Sequence, residues 1–290
     1  ELIVFAEDDS TIFYYEEPVQ KPQVSELPQV NTSLRTQRVA LLNWTSKAAI
    51  IMEKLCTYVP AGSEIIAYDP DKTKEMGSFL VELQNNYPDL NLAMKQADLN
   101  DLNALNVLEP QNFDSLLILS PGGTTIEEMD AYVISLLIRI RQILRESGLD
   151  KWPKLITEVM DSENIDIILN SGVEDFMVSN QFVSQIMAQV SEEPLALDVY
   201  DDLFQAEGSE LYIKPANYYF SFDGRESITL PYGECTQAAL LRQEVCLGVQ
   251  LHAHQGDKDK FFGVALIPDK GEKFTLTPQD GLITLAEDES

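Results

Sequence analysis

Three polar side chains stand where a cofactor-binding sheet would place its ligand contacts. Asn43 lies in the apolar run 38–44, Asp69 ends the run 64–69, and Asp98 follows a third run that begins at Leu90. If these runs are parallel strands, the three residues share the carboxyl edge of one sheet, where open α/β sheets bind ligands. Asp69 would occupy the position of a ribose-binding carboxylate, and Asp98 the adenine side. Aspartate is also common in turns, so a purely structural role stays open.

The turn after the first run contains no glycine. A dinucleotide site needs G-x-G-x-x-G there, because only glycine lets the backbone approach the pyrophosphate. The segment 43–49 instead reads Asn-Trp-Thr-Ser-Lys-Ala-Ala. We expect side chains to fill the phosphate position, which disfavours a bound nucleotide and an NAD-dependent oxidoreductase.

Two groups of acidic residues are candidates for calcium binding, because Ca²⁺ prefers carboxylate oxygens. One comprises Asp198, Asp201 and Asp202, and the other lies at 7–9. Neither has the spacing of an EF-hand loop, and each is equally typical of a solvated surface.

Other catalytic patterns are incomplete. His252 and His254 would share a face if they lay on a strand, but no cysteine or carboxylate motif completes a zinc site. The glycine pair in 121–123 precedes a helix and could hold an anion, but Glu127 and Glu128 oppose that. Since G-x-S-x-G and H-E-x-x-H are also absent from the sequence, we predict that the chain is not an enzyme.

The amino-acid composition excludes some classes of binding partner. The 290 residues include 20 Lys and Arg against 48 Asp and Glu, a net charge of −28, which repels nucleic acid and anionic membranes. Three cysteines without a C-x-x-C pair fit a reducing compartment. No apolar run is long enough to cross a bilayer, so we expect any membrane-spanning part to lie outside this sequence.

The hydrophobic pattern predicts two domains after a short lead-in. Alternating strand and helix patterns at 38–193 predict a Rossmann-like, doubly wound parallel sheet. Shorter β-like runs, including 218–222, and one helix at 235–243 predict a smaller α+β subdomain at 194–290.

The two ends of the sequence resemble one another. Residues 2–10 and 282–290 share the pattern Leu-Ile-x-x-Ala-Glu-Asp-x-Ser. The repeat predicts that 1–15 is the last strand of a preceding, similar domain, joined by a proline-containing linker at 16–37. A chance match between two strands that end in acids is the alternative.

Several ordered segments together resemble a known family. Residues 158–164, followed by 171–176, resemble the late part of regulator-of-potassium-conductance (RCK) domains. The variant found at 180–190, together with 43–44 and 59–64, is similar to the CASTOR/POLLUX ion channels. The segments 208–212 and 281–287 extend the resemblance to most of the chain.

This resemblance implies a cytosolic gating-ring module with an RCK-C-like second subdomain. Family membership would imply a covalently linked upstream transmembrane pore, tandem RCK units in a homo-tetrameric ring at the cytoplasmic face of a membrane, and control by calcium. No calcium ligand set of the family can be matched to this sequence. A nucleotide-binding regulatory subunit of a potassium uptake system is the alternative function, followed by the oxidoreductase.

Overall fold

The described residues form two compact units. The structure is a computed structural model that describes residues 27–28, 35–71, 74–123, 125–149, 151–161, 176–205, 208–255 and 257–287. Residues 35–196 make up the first unit, and residues 197–287 with 27–28 make up the second. The predicted strand at 1–15, most of the linker at 16–37 and a helix predicted at 165–170 lie outside the described residues.

The first unit is built on six parallel strands in the order β3-β2-β1-β4-β5-β6. The strands are β1 (Arg38–Leu42), β2 (Glu64–Asp69), β3 (Asn91–Gln96), β4 (Ser115–Ile118), β5 (Lys154–Val159) and β6 (Phe176–Val178). The central strand β1 is an almost continuous apolar run because both of its faces are buried.

Helices cover both faces of this sheet. They are α1 (Ser46–Tyr58), α2 (Lys74–Asn86), α3 (Leu102–Leu108) and α4 (Ile126–Glu146). Leu41 packs with Met52 of α1 and Leu83 of α2, whereas its neighbour Leu42 packs with Leu137 of α4 on the other face. Alternate residues of one strand therefore belong to two separate cores. The predicted Rossmann-like, doubly wound sheet is confirmed.

Two helices follow β6. Helix α5 (Ser179–Glu192) has no buried residue, and α6 (Ala196–Leu203) comes directly after it. Phe182, Val183 and Met187 of α5 are exposed, so this helix presents an apolar stripe to solvent.

The second unit is antiparallel throughout its described strands. A four-stranded sheet has the order β10-β9-β12-β7, and β8 pairs with β11. The strands are β7 (Glu210–Pro215), β8 (Ile228–Pro231), β9 (Val245–Gln250), β10 (Val264–Leu266), β11 (Lys273–Leu276) and β12 (Gly281–Ala286). Helix α7 (Tyr232–Leu241) buries Cys235 and Ala238 against the sheet residues Val249 and Leu282. The predicted α+β class of this part is confirmed.

One strand predicted in this unit is wrong, one conditional arrangement is not met, and one strand was not predicted. The segment 218–222 is not a strand, because Ala216–Tyr218 forms a 3-10 turn that buries Tyr219 and Phe220 in succession. His252–His254 is likewise a 3-10 turn, so its two imidazoles do not share the face of a strand. Strand β11 was not predicted from the sequence.

Candidate functional site

Asn43 fills the position where a nucleotide-binding turn has glycine. Its φ of 72° is left-handed, a conformation that asparagine tolerates better than most residues. The buried side chain donates from Nδ2 to the carbonyl oxygen of Leu119 at 2.7 Å, and Oδ1 accepts from the Tyr132 hydroxyl at 3.0 Å. The amide therefore links β1, the end of β4 and α4 at the position where a nucleotide-binding turn has glycine.

Asp69 and Asp98 stabilise backbone turns. The two carboxylate oxygens of Asp69 accept from the amides of Trp44 at 2.6 Å and Asp71 at 2.9 Å. Oδ1 of Asp98 accepts from the amide of Asn100 at 2.9 Å, at the entry to α3. Asp69 thus ties the turn after β1 to the end of β2.

Tyr132 on α4 donates to Asn43 and lies within electrostatic range of Asp69 and Asp98. Burial raises the pKa of Tyr132 to about 12, and the negative charges of Asp98 and Asp69 act in the same direction. The phenol therefore stays protonated and remains a donor to Asn43. Sequence reasoning missed this residue, although it lies near the start of the helix that follows the predicted glycine turn.

Glu158 and Lys47 form a second contact across the same edge. Glu158 lies in β5 with a side chain only 4% exposed, whereas Lys47, in the first turn of α1, is 48% exposed. The Lys47 ammonium donates to Oε1 of Glu158, and the Ser120 amide donates to Oε2 at 3.1 Å. Burial acts to raise the pKa of Glu158, but the hydrogen bonds from Lys47, Ser120 and Ser179 outweigh it and hold that pKa below its usual value.

A fourth carboxylate, that of Asp130, lies at the edge beside β5. Asp130 of α4 is buried and accepts from the amides of Met160 at 2.8 Å and Asp161 at 3.0 Å. The carboxyl edge of the sheet is therefore held together by its own side chains. Such an arrangement is suited to fixing the relative positions of strands and helices.

The second unit contains a buried ion pair between Lys214 and Glu244. Lys214 Nζ lies 2.9 Å from Glu244 Oε1, and the two side chains are 3% and 4% exposed. The Tyr219 hydroxyl donates to the other oxygen of Glu244, and Arg242 Nε lies 3.6 Å from Oε1. Burial raises the pKa of Tyr219, and its hydrogen bond with Glu244 adds to the effect, so this phenol is a permanent donor.

The predicted metal ligands are exposed. Asp198, Asp201 and Asp202 lie on α6, where their spacing places them along one side of the helix. In the described ranges, no group of three or more His, Cys, Asp or Glu side chains is arranged to hold a metal ion. The acidic group at 7–9 lies outside these ranges. None of the described helices combines the length and apolar character needed to cross a bilayer.

The relatives of the chain are named ion channels. A probable ion channel SYM8 of Pisum sativum is 25% identical over 88% of this chain, and a probable ion channel CASTOR of Oryza sativa is 23% identical over all of it. This chain is similar to the CASTOR and POLLUX ion channels over most of its length. The resemblance inferred from the sequence is thereby confirmed. No family model matches the chain.

The similarity to CASTOR and POLLUX covers only part of those proteins. The chain spans 31% of the Pisum sativum relative and 35% of the Oryza sativa relative, about a third of their length. Among solved structures, the human SLO3 gating ring matches with a TM-score of 0.56 and 12% identity, covering 87% of this chain and 44% of that one. The match shows a shared fold across both units.

Proposed function

We propose that this chain is the cytosolic regulatory module of a CASTOR/POLLUX-like cation channel, and that it couples a ligand signal to the pore. The observation that carries the proposal is the extent of the similarity. Named ion channels match 87–100% of this chain in sequence, and a gating ring matches 87% of it in fold. A short shared motif would not support this, because one fold hosts many functions.

The module would work by assembly. In the proposed tetrameric ring of tandem units, a ligand shifts the ring only by binding one arrangement more tightly than the other. Helix α5 supplies a suitable surface, since Met187 is 67% exposed and Phe182 and Val183 are also open to solvent. Exposed apolar patches of this kind mark contact sites between proteins.

The carboxyl edge of the first sheet favours this role over redox catalysis. An oxidoreductase of this fold needs backbone that can approach a pyrophosphate and a carboxylate that can bind ribose. Asn43 fills the first position, and Asp69 is bound to two backbone amides. The same geometry argues against the nucleotide-binding regulatory subunit.

Sedimentation velocity on the whole chain tests the assembly. We expect oligomers at high protein concentration, and we expect Met187→Glu to dissociate them by placing a charge on the α5 stripe. Val107→Glu is the matched control, because Val107 is 82% exposed on α3 without an apolar stripe around it. A monomer at every concentration, with and without Ca²⁺, would count against the proposal.

Calcium is the ligand that we propose for the ring. The net charge of −28 attracts cations, and the α6 carboxylates would complete a site with oxygens from a neighbouring copy. Calorimetric titration with Ca²⁺ should show binding that the triple change of Asp198, Asp201 and Asp202 to Asn removes. Changing Glu127 and Glu128 to Gln is the control, and equal binding by both variants would refute the assignment.

A further inference from the structure

The carboxylate of Glu158 accepts from donors on two separate elements, and a third donor residue lies beside it. Lys47 comes from α1 and the Ser120 amide follows β4. Ser179, the first residue of α5, acts to lower the pKa of Glu158, and its hydroxyl also reaches Met160 Sδ at 3.4 Å. We call these three donor residues the Glu158 seat. Convergent ammonium, amide and hydroxyl donors are also how proteins hold phosphate and sulfate.

The seat contains one donor that Glu158 does not use. Ser120 is 8% exposed, and its Oγ has no hydrogen-bond partner within the described part of the chain. A carboxylate offers two oxygens to its donors, whereas a tetrahedral oxyanion offers up to four. The buried hydroxyl beside the Ser120 amide is therefore a donor that an oxyanion could use and Glu158 does not.

The seat is also reachable from solvent. Lys47 is half-exposed, so a small anion can approach its ammonium from outside. In the native chain any such anion would meet the ionised carboxylate of Glu158, whose pKa lies below the usual value. Two anions cannot share one set of donors without strong repulsion.

We propose that Glu158 is a specificity-determining residue: it acts as a built-in anion that occupies an oxyanion seat and excludes phosphorylated ligands from this edge of the sheet. Asn43 stands where a nucleotide-binding turn has glycine, directly after β1. Next to that turn, the negative charge of Glu158 neutralises the Lys47 ammonium that would otherwise attract a phosphate. Glu158 would thus limit which ligands bind to the first unit, whether or not the chain assembles into a ring.

Phosphate binding to the whole 290-residue chain provides the test. Inorganic phosphate is titrated by calorimetry at constant ionic strength into the native chain and into Glu158→Ala. We expect no saturable phosphate binding by the native chain. For Glu158→Ala we expect saturable binding with a Kd at least about tenfold below the detection limit set by the native chain, since a tenfold change in Kd corresponds to one well-placed charged contact. Adding Lys47→Met to Glu158→Ala should abolish the gain.

Glu64→Ala is the matched control. Glu64 pairs with Arg38 at 2.7 Å at the opposite, amino-terminal edge of the same sheet, so its loss changes the net charge equally without vacating the Glu158 seat. Phosphate binding by Glu64→Ala equal to that of Glu158→Ala would overturn the proposal. So would tight phosphate binding by the native chain, or a folded Glu158→Ala that binds no better than the native chain.

A second variant covers the case in which Glu158→Ala does not fold. Glu158→Gln keeps the volume and removes the charge, so we expect a smaller gain in phosphate affinity that again requires Lys47. A folded Glu158→Gln without any gain would then overturn the proposal.

Discussion

Each unit contains a lysine–glutamate pair. The two glutamates are equally buried, but the two lysines differ in their exposure to solvent. Glu158 and Glu244 are each 4% exposed, and each accepts hydrogen bonds from a lysine and from a second donor. Lys47 is 48% exposed, however, whereas Lys214 is 3% exposed. The exposure of the cation decides whether water can replace it.

The difference in lysine exposure predicts different energetic roles for the two pairs. Removing one partner of a buried pair leaves an uncompensated charge in the interior, which costs about 3–5 kcal/mol. Removing a partner that water can replace costs about 0–1 kcal/mol. We therefore assign the Lys214 pair to stability and the Lys47 pair to control of access to the sheet edge.

Lys214→Met should have the largest effect. We expect the free energy of unfolding of the second unit to fall by about 3 kcal/mol, because Glu244 stays buried and keeps, among the described residues, Tyr219 and the more distant Arg242. Urea denaturation followed by a probe in the second unit measures this. Lys214→Met combined with Glu244→Leu should recover part of the loss, and a loss below about 1 kcal/mol for the single variant would remove the contrast between the pairs.

Asn43→Ala should have the second-largest effect on stability. It tests whether neutral hydrogen bonds stabilise the first unit in the way that a buried ion pair stabilises the second. The change leaves the buried Tyr132 hydroxyl and the Leu119 carbonyl without their partner and forces alanine into a left-handed backbone, about 2 kcal/mol in total. Asn43→Gly should cost about 1 kcal/mol less, since glycine adopts this φ freely. Thermal unfolding of the two variants compares them directly, and equal destabilisation would argue against backbone strain.

Tyr132→Phe should cost about 1 kcal/mol near neutral pH, because one buried hydrogen bond to Asn43 is lost. Its pH dependence is more informative. The folded pKa of about 12 lies above the unfolded value of ~10, so the contribution of Tyr132 is complete below pH ~10 and is lost as the pH rises through the folded pKa. The stability difference between native and variant chains should therefore shrink above pH ~10, and a constant difference would show that the phenol titrates normally.

Lys47→Met should have the smallest effect, below about 1 kcal/mol, since water and the Ser120 amide remain available to Glu158. The depressed pKa of Glu158 means that its contribution is present above the unfolded value of ~4.3 and disappears as the pH falls through the folded value. Removing Lys47 should raise that folded pKa, which carbon NMR of the carboxyl group can follow. A cost as large as that of Lys214→Met would mean that both pairs are equally structural.

The sequence predicts the first sheet well because its information is local. Each buried parallel strand is a short apolar run with a polar end, and short connections leave few topologies. The same pattern places Asn43 and Asp69 correctly at the carboxyl edge, as the register of β1 with β2 shows. In the second unit, the aromatic residues at 218–222 satisfy a strand pattern, but they are buried by a turn.

The side chains that complete the edge could not be predicted locally. Tyr132 lies 89 residues from Asn43, and Glu158 lies 111 residues from Lys47. Their meeting depends on the register of the strands and on the rotation of α4, which no sequence window contains. Glu158 therefore looked like part of a strand, and its role emerged only from its donors.

The order of strands in the two sheets also sets the order in which a ribosome can complete them. Each new strand of the first sheet joins an edge that already exists: β2 and β4 flank β1, β3 joins β2, and β5 and β6 extend from β4. In the second sheet β12 lies between β9 and β7, so those two strands wait with open edges until Gly281–Ala286 has been synthesised. The first sheet can grow while translation continues, but the described four-stranded sheet closes only when β12 is inserted, and until then the edges of β7 and β9 that β12 pairs with stay open to other chains.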